Sequence, residues 1–287
     1  MAWAKFPTAW LVQPGAGAEN RTYPLAELDW SGHRMTGIAA LLLLIALSIR
    51  LNQARRPGTF DQNQHANVVA VTWKDLQKSV GVAPATLGKA ISLLEAWGAI
   101  AVTKVGRSAH YELVGVETVG HWCMLPQTFL EANGDPVSRF KDLPGTLLGL
   151  NALKLYVVLL ALRSSQYKTT ALSFTAITKW TGIRREDIRK AWGFLESQQL
   201  AAISPDWDYR HSTLDAADRS QRYAIVGLTP GWNPRAREAT NPSFDPSPED
   251  AEDPPGAQRV PPARVSPYAE HLKGPAASPG SDGDIPF

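Results

Sequence analysis

The stretch Val71–Ile100, VTWKDLQKSVGVAPATLGKAISLLEAWGAI, lies without a gap over Leu172–Ala201, LSFTAITKWTGIRREDIRKAWGFLESQQLA. Lys78, Gly81, Lys89, Ala90, Leu94 and Glu95 fall on Lys179, Gly182, Lys190, Ala191, Leu195 and Glu196. Apolar positions keep step, with Leu76 on Ile177, Val82 on Ile183, Leu87 on Ile188 and Ile91 on Trp192. Upstream, Gly37–Gln53 (GIAALLLLIALSIRLNQ) resembles Gly149–Gln166 (GLNALKLYVVLLALRSSQ), and Trp10 in AWLVQPG is set against Trp122 in HWCMLPQ. A repeat of this kind means that one supersecondary unit is used twice.

Each copy opens on a long apolar helix. A β-rich stretch follows (Val68–Trp73; Thr169–Phe174), and then a short helix (Trp73–Val80; Thr175–Thr181). That helix stops at Gly81 or Gly182, since glycine adopts the positive φ of a helix end without steric cost. Val82 and Ile183 plug the turn. The next helix starts after Pro84 in the first copy and at Arg185–Glu186 in the second. Proline suits a first helical turn, and an acidic residue there suits the helix dipole. Leu87, Ile91 and Leu94, like Ile188, Trp192 and Leu195, are spaced i, i+4, i+7, which makes one buried helix face. Trp97 and Trp192 therefore read as core rather than as base-stacking surfaces. Hairpins come last: Ala101–Val105 and His110–Val114 around a Gly106-Arg107-Ser108 turn, and strand Tyr223–Leu228 after a polar connection, Ser204–Arg222. Helix, strand, helix, turn, helix, hairpin is the order of the winged helix. The expected fold is thus mainly α with small β-hairpins (α+β): two tandem winged helix-turn-helix domains at 1–118, including an N-terminal extension, and 119–230. Residues 231–287 follow as a tail.

The formal charge of +2 conceals a split. Residues 231–287 carry 9 acidic and 5 basic side chains, which leaves 24 basic against 18 acidic in the preceding 230. A basic body with an acidic tail suits a nucleic-acid partner. The single cysteine, Cys123, permits no internal disulfide and favours a reducing, cytoplasmic setting. The opening MAWAKFPTAWLV has no apolar stretch of signal-peptide length, so no export signal is expected. Ile38–Leu47 is apolar throughout but falls short of the about 20 residues of a spanning helix, so it is expected in a core and not in a membrane.

In helix-turn-helix proteins the second helix enters the major groove with its early solvent-facing residues near the bases. That face carries Ala85, Thr86, Lys89 and Ser92 in the first copy, and Arg184, Arg185, Arg189 and Lys190 in the second. Arginine suits phosphates and bidentate contacts to guanine, so the second copy is expected to read duplex DNA. In the first, base reading and plain surface polarity stay equally open. Around the hairpins, Lys104, Arg107 and His110, then Arg210, His211, Arg219 and Arg222, are candidates for phosphate contact, which positions a protein more than it specifies sequence.

Catalytic motifs give no counterweight. Gly88-Lys89 resembles the end of a phosphate loop, but Ala83 stands where its first glycine belongs and Ala90 where its Ser/Thr belongs. The histidines are scattered and form no His-x-His or His-Glu-x-x-His arrangement. No enzyme activity, metal or cofactor is expected.

From Gly231 on, the chain holds 12 of its 22 prolines among Asp, Glu, Ser and Ala, a composition expected to stay disordered as an extended linker. It ends Asp282-Gly283-Asp284-Ile285-Pro286-Phe287. Asp284-Ile285-Pro286-Phe287 is similar to the terminal peptide of bacterial single-stranded DNA-binding proteins, although Gly283 interrupts the longer acidic run usual there. The resemblance implies that Asp282, Asp284, Ile285, Pro286 and Phe287 dock host replication proteins, the ring filling an apolar pocket and the carboxylates meeting a basic rim.

The duplicated body, with Trp122-Cys123-Met124-Leu125-Pro126 before a long apolar helix, resembles the tandem winged-helix replication initiators of plasmids and other mobile elements from about Trp10 to Leu228. That resemblance implies sequence-specific binding to repeated origin DNA, local opening, and recruitment of host enzymes. A replicative helicase and a second copy of the chain are further candidate partners. A repressor built from the same domains, and an adaptor whose winged helices hold a helicase, are the readings the sequence leaves open.

Overall fold

From the long apolar helix onward, both repeats fold into the same succession of elements. The computed structural model describes residues 2–14, 21–55, 67–105, 108–163, 169–203 and 221–228. In the first half, β1 (Ala4–Pro7) leads through a 3-10 turn at Ala9–Leu11 to the short pair β2 (Gln13–Pro14) and β3 (Arg21–Thr22). Next come α1 (Pro24–Glu27), α2 (Trp30–Ala54), β4 (Val68–Val71), α3 (Trp73–Val80), α4 (Pro84–Ala96), β5 (Ile100–Val105) and β6 (Ser108–Leu113). The second half runs β7 (Trp122–Leu125), α5 (Gln127–Leu130), a 3-10 turn at Ser138–Phe140, then α6 (Leu147–Ala161) and β8 (Thr169–Leu172). It ends with α7 (Phe174–Thr181), α8 (Arg185–Ser197), β9 (Ala201–Ile203) and β10 (Gln221–Ile225). The chain is mixed α and β, mainly helical with small antiparallel sheets. Those of the two repeats are ordered β4-β6-β5 and β8-β10-β9.

Local chemistry explains the boundaries. Thr72 Oγ1 accepts the Asp75 N–H at 3.2 Å and donates to the Asp75 carboxylate at 2.7 Å, which caps α3. Ser173 Oγ accepts the Ala176 N–H at 3.1 Å and caps α7. Both helices stop in the left-handed region, at Gly81 (φ 71°) and Gly182 (φ 66°). Two sequence boundaries need correction. Ser108 belongs to β6, because the ladder continues to the pair Val105↔Ser108. The strand expected at Tyr223–Leu228 runs Gln221–Ile225 instead, drawn towards β8 by the pair Gln221↔Leu172.

The apolar run Ile38–Leu47 is the middle of a longer helix. At 25 residues, α2 is long and apolar enough to cross a membrane by length and composition. Here every residue from Gly37 to Ile49 is buried within the protein. A break at Arg34 (φ 43°, ψ −128°) separates its first turn from the rest. α2 packs on α3 and α4, α6 packs on α7 and α8, and α2 and α6 pack on each other, so the halves share one core.

β1 and β7 pair antiparallel, with Lys5 opposite Met124 and Ala4 opposite Leu125. Each strand leads into a short helical turn, and WAKFPTAWL (Trp3–Leu11) then lies over WCMLPQTFL (Trp122–Leu130) without a gap. Trp3 therefore corresponds to Trp122, and Trp10 to Phe129. The sequence pairing of Trp10 with Trp122 was displaced because the connection from Leu11 to Pro24 is longer than that from Leu130 to Pro136. Equivalent residues Lys5 and Met124 face each other, so an internal pseudo-twofold axis passes between them. Downstream, Pro24, Leu25 and Leu28 answer to Pro136, Val137 and Phe140, all buried. Arg34 at the break answers to Thr146, the N-cap of α6.

Candidate nucleic-acid interface

The two helices expected to read DNA are α4 and α8. On α4, Leu87, Ala90, Ile91 and Leu94 are buried, while Ala85, Lys89 and Ser92 are exposed and Thr86 is half-buried. On α8, Ile188, Ala191 and Leu195 are buried, and Arg184, Arg185, Arg189 and Lys190 are all exposed. The structure thus brings the four cations of the second copy together around the first two turns of one helix. They are not equivalent. Lys190 Nζ lies 3.1 Å from Asp187 Oδ1, and the Arg185 guanidinium sits 5.8 Å from the centre of the Phe174 ring. Exposed Glu186 dilutes the patch.

Lys104 is exposed near the end of the β5–β6 ladder, and His110 is half-buried opposite Thr103. Arg222 is half-buried on β10, opposite Ala171 of β8. Arg107, Arg210, His211 and Arg219 lie outside the described residues, as do Asp282, Asp284, Ile285, Pro286 and Phe287. Trp97 stacks on buried Trp10 at 5.1 Å, and Trp192 tilts against Tyr223 at 4.8 Å, both as parts of the core.

Sequence reasoning missed how the second turn is held. Helix α1, from the first half, packs on α7 of the second. The Tyr23 ring meets Trp180 edge-on at 5.1 Å, and Lys179 Nζ lies 5.7 Å over Tyr23. A Cβ at Gly182 would stand 2.6 Å from the Ala26 carbonyl oxygen. The clasp therefore closes on the glycine of the turn and leaves Arg184, Arg185 and Arg189 exposed. Beside it, buried Lys154 Nζ donates to the Leu28 carbonyl at 2.7 Å. Burial lowers the Lys154 pKa to about 8, against the favourable pull of Asp29. The Asp29 carboxylate is held below its ordinary value by the Gly32 N–H and the Ser31 hydroxyl. Burial pushes the Cys123 thiol up to about 12, which keeps it protonated and unreactive at neutral pH.

Among the described residues, no group of three His, Cys, Asp or Glu side chains could hold a metal ion. Comparison with protein-family models, curated proteins and solved structures found no match.

Proposed function

We propose that each half is a winged helix-turn-helix and that the chain binds duplex DNA sequence-specifically. The observation that carries this reading is the twofold use of strand, capped short helix, left-handed glycine turn, second helix and hairpin. The second copy also presents Arg184, Arg185, Arg189 and Lys190 on the exposed face of α8. In helix-turn-helix proteins side chains in that position reach base edges in the major groove, and on this reading the strand pairs serve as wings that touch phosphate. The wider role is replication initiator or replisome-recruiting factor of a mobile element, in which the Asp282–Phe287 peptide docks host proteins that bind the tail of the single-stranded DNA-binding protein.

The test is binding of the full chain to a random duplex library, followed by titration of the selected sequence against salt. The expected result is an enriched motif and an affinity that falls as salt rises, with a slope of about 0.9 per neutralised phosphate on logarithmic axes. No enrichment, or a salt-insensitive affinity, overturns the reading.

A further inference from the structure

The pseudo-twofold axis makes each half a control for the other, and the comparison exposes a vacancy. Around the end of α7, the second half places Trp180 and Lys179, with the Tyr23 ring set between them. By the repeat, Ser79 stands for Trp180, Lys78 for Lys179, and Asp135 for Tyr23. Both rings are missing around the end of α3, yet the cation is kept. The backbone does not close over the loss. Gly81, the counterpart of clasped Gly182, has nothing within 4 Å of where a Cβ would stand.

Beside Ser79 lies a cavity of about 220 Å³ between the end of α3 and the 3-10 turn at Ser138–Phe140. Leu42, Val80, Val137, Phe140 and Leu143 give it apolar walls, with Lys78 and Lys141 exposed beside it. A second cavity of about 110 Å³ shares Lys78 and Ser79 and is lined by Arg50, Asp75, Asn133 and Asp135 as well. The acidic groups there are engaged: Asp135 pairs with Lys141 at 3.0 Å, and Asp75 accepts from Thr72 at 2.7 Å. Lys78 therefore faces an apolar slot of aromatic size. Concave apolar sites with a few placed polar groups are where small ligands bind.

We propose that this cavity binds a small planar aromatic carboxylate. Its ring lies against Ser79, which stands where the second repeat has Trp180, and Lys78 meets its charge. Because the Gly81–Val82 turn forms one wall, the ligand also touches the joint between α3 and α4.

The experiment is calorimetric titration of the full chain, without DNA, using 2-naphthoate and its neutral amide as probes. One saturable site per chain is expected, with the carboxylate the tighter binder. Ser79→Trp, which restores the ring present in the second half, should abolish binding of both probes while leaving the melting temperature at or above that of the parent. Val137→Phe fills the slot from the facing wall and gives the same readout should the tryptophan disturb folding. Lys78→Met should weaken the carboxylate at least about tenfold, a difference of about 1.4 kcal/mol, and leave the amide unchanged. Absence of saturable binding, unaltered binding in both filled variants, or equal loss of the two probes on Lys78→Met overturns the proposal.

Discussion

Alanine substituted separately at Gly81 and Gly182 measures what the clasp costs and contributes. The two positions share a backbone conformation, φ 71° and 66°, and both end the first helix of a repeat. A left-handed non-glycine residue costs about 1–2 kcal/mol, offset in part by about 0.4–1 kcal/mol from the less flexible unfolded chain. Gly81→Ala meets open space and should destabilise by about 1 kcal/mol. Gly182→Ala carries the same backbone cost, but its methyl group stands 2.6 Å from the Ala26 oxygen and 3.1 Å from the Ala26 Cα. Those are backbone atoms of α1, so the whole helix must retreat. Overpacking of this kind costs about 1–3 kcal/mol, which puts the total near 2–4 kcal/mol. Urea unfolding at constant m-value reads both numbers. Prior removal of the Tyr23 ring (Tyr23→Ala) should loosen α1 and shrink the extra cost at Gly182 but not the cost at Gly81. Equal losses at the two glycines would refute the clasp.

Three further outcomes follow from particular side chains. Arg189→Ala and Arg185→Ala should each weaken binding to the selected duplex by about 1–3 kcal/mol, more than Lys89→Ala does, and titrations unchanged in both arginine variants would show the wrong helix face. Lys154 is charged in both states below pH 8, and between about 8 and 10.5 only the unfolded chain keeps the proton, so its contribution to stability rises with pH across that window. Lys154→Met should remove that rise, roughly 3 kcal/mol as the difference between parent and variant, against the opposite alkaline trend from the raised Cys123, Tyr111 and Tyr156; parallel pH profiles would contradict it. Deleting Phe287 from the last-ten-residue peptide should abolish its competition with the tail of the host single-stranded DNA-binding protein, and equal competition by both peptides would remove the docking role.

The short helices and their successors were legible because their signals are local. Thr72 and Ser173 as caps, glycine at the ends, and apolar residues at i, i+4, i+7 each act within a few residues. The exposed face of α8 followed from the same periodicity. Long-range features were not legible. Nothing near Tyr23 or Ala26 announces contact with Trp180 and Gly182, and the clasp arises only once β1 pairs with β7 across the axis. The break at Arg34 puts a non-glycine residue at φ 43°, a conformation no propensity would assign it. Trp10 was set against the wrong tryptophan because aromatic identity outweighed an unequal connection.

Divergence between the halves includes the face expected to read DNA. Core positions keep their type, Leu87 with Ile188, Ala90 with Ala191 and Leu94 with Leu195, all buried. On the face expected to read DNA, Ala83, Pro84 and Gly88 stand where the second half has Arg184, Arg185 and Arg189. On the proposed DNA-binding reading, such a pattern gives the second half the firmer hold on phosphate and leaves the first poorly charged, with Lys89 as the cation on that face. The asymmetry can be reversed at one position. A Cβ at Gly88 would have only the Trp73 ring nearby, at 3.7 Å, which is ordinary contact. Gly88→Arg should therefore fold well and gain up to about 1 kcal/mol of helix stability, since glycine inside a helix is costly. If α4 faces the duplex as α8 does, the added cation neutralises one more phosphate and steepens the logarithmic salt slope by about 0.9. A stabilised protein with an unchanged slope would mean that the first half docks elsewhere, and that α8 alone holds the DNA.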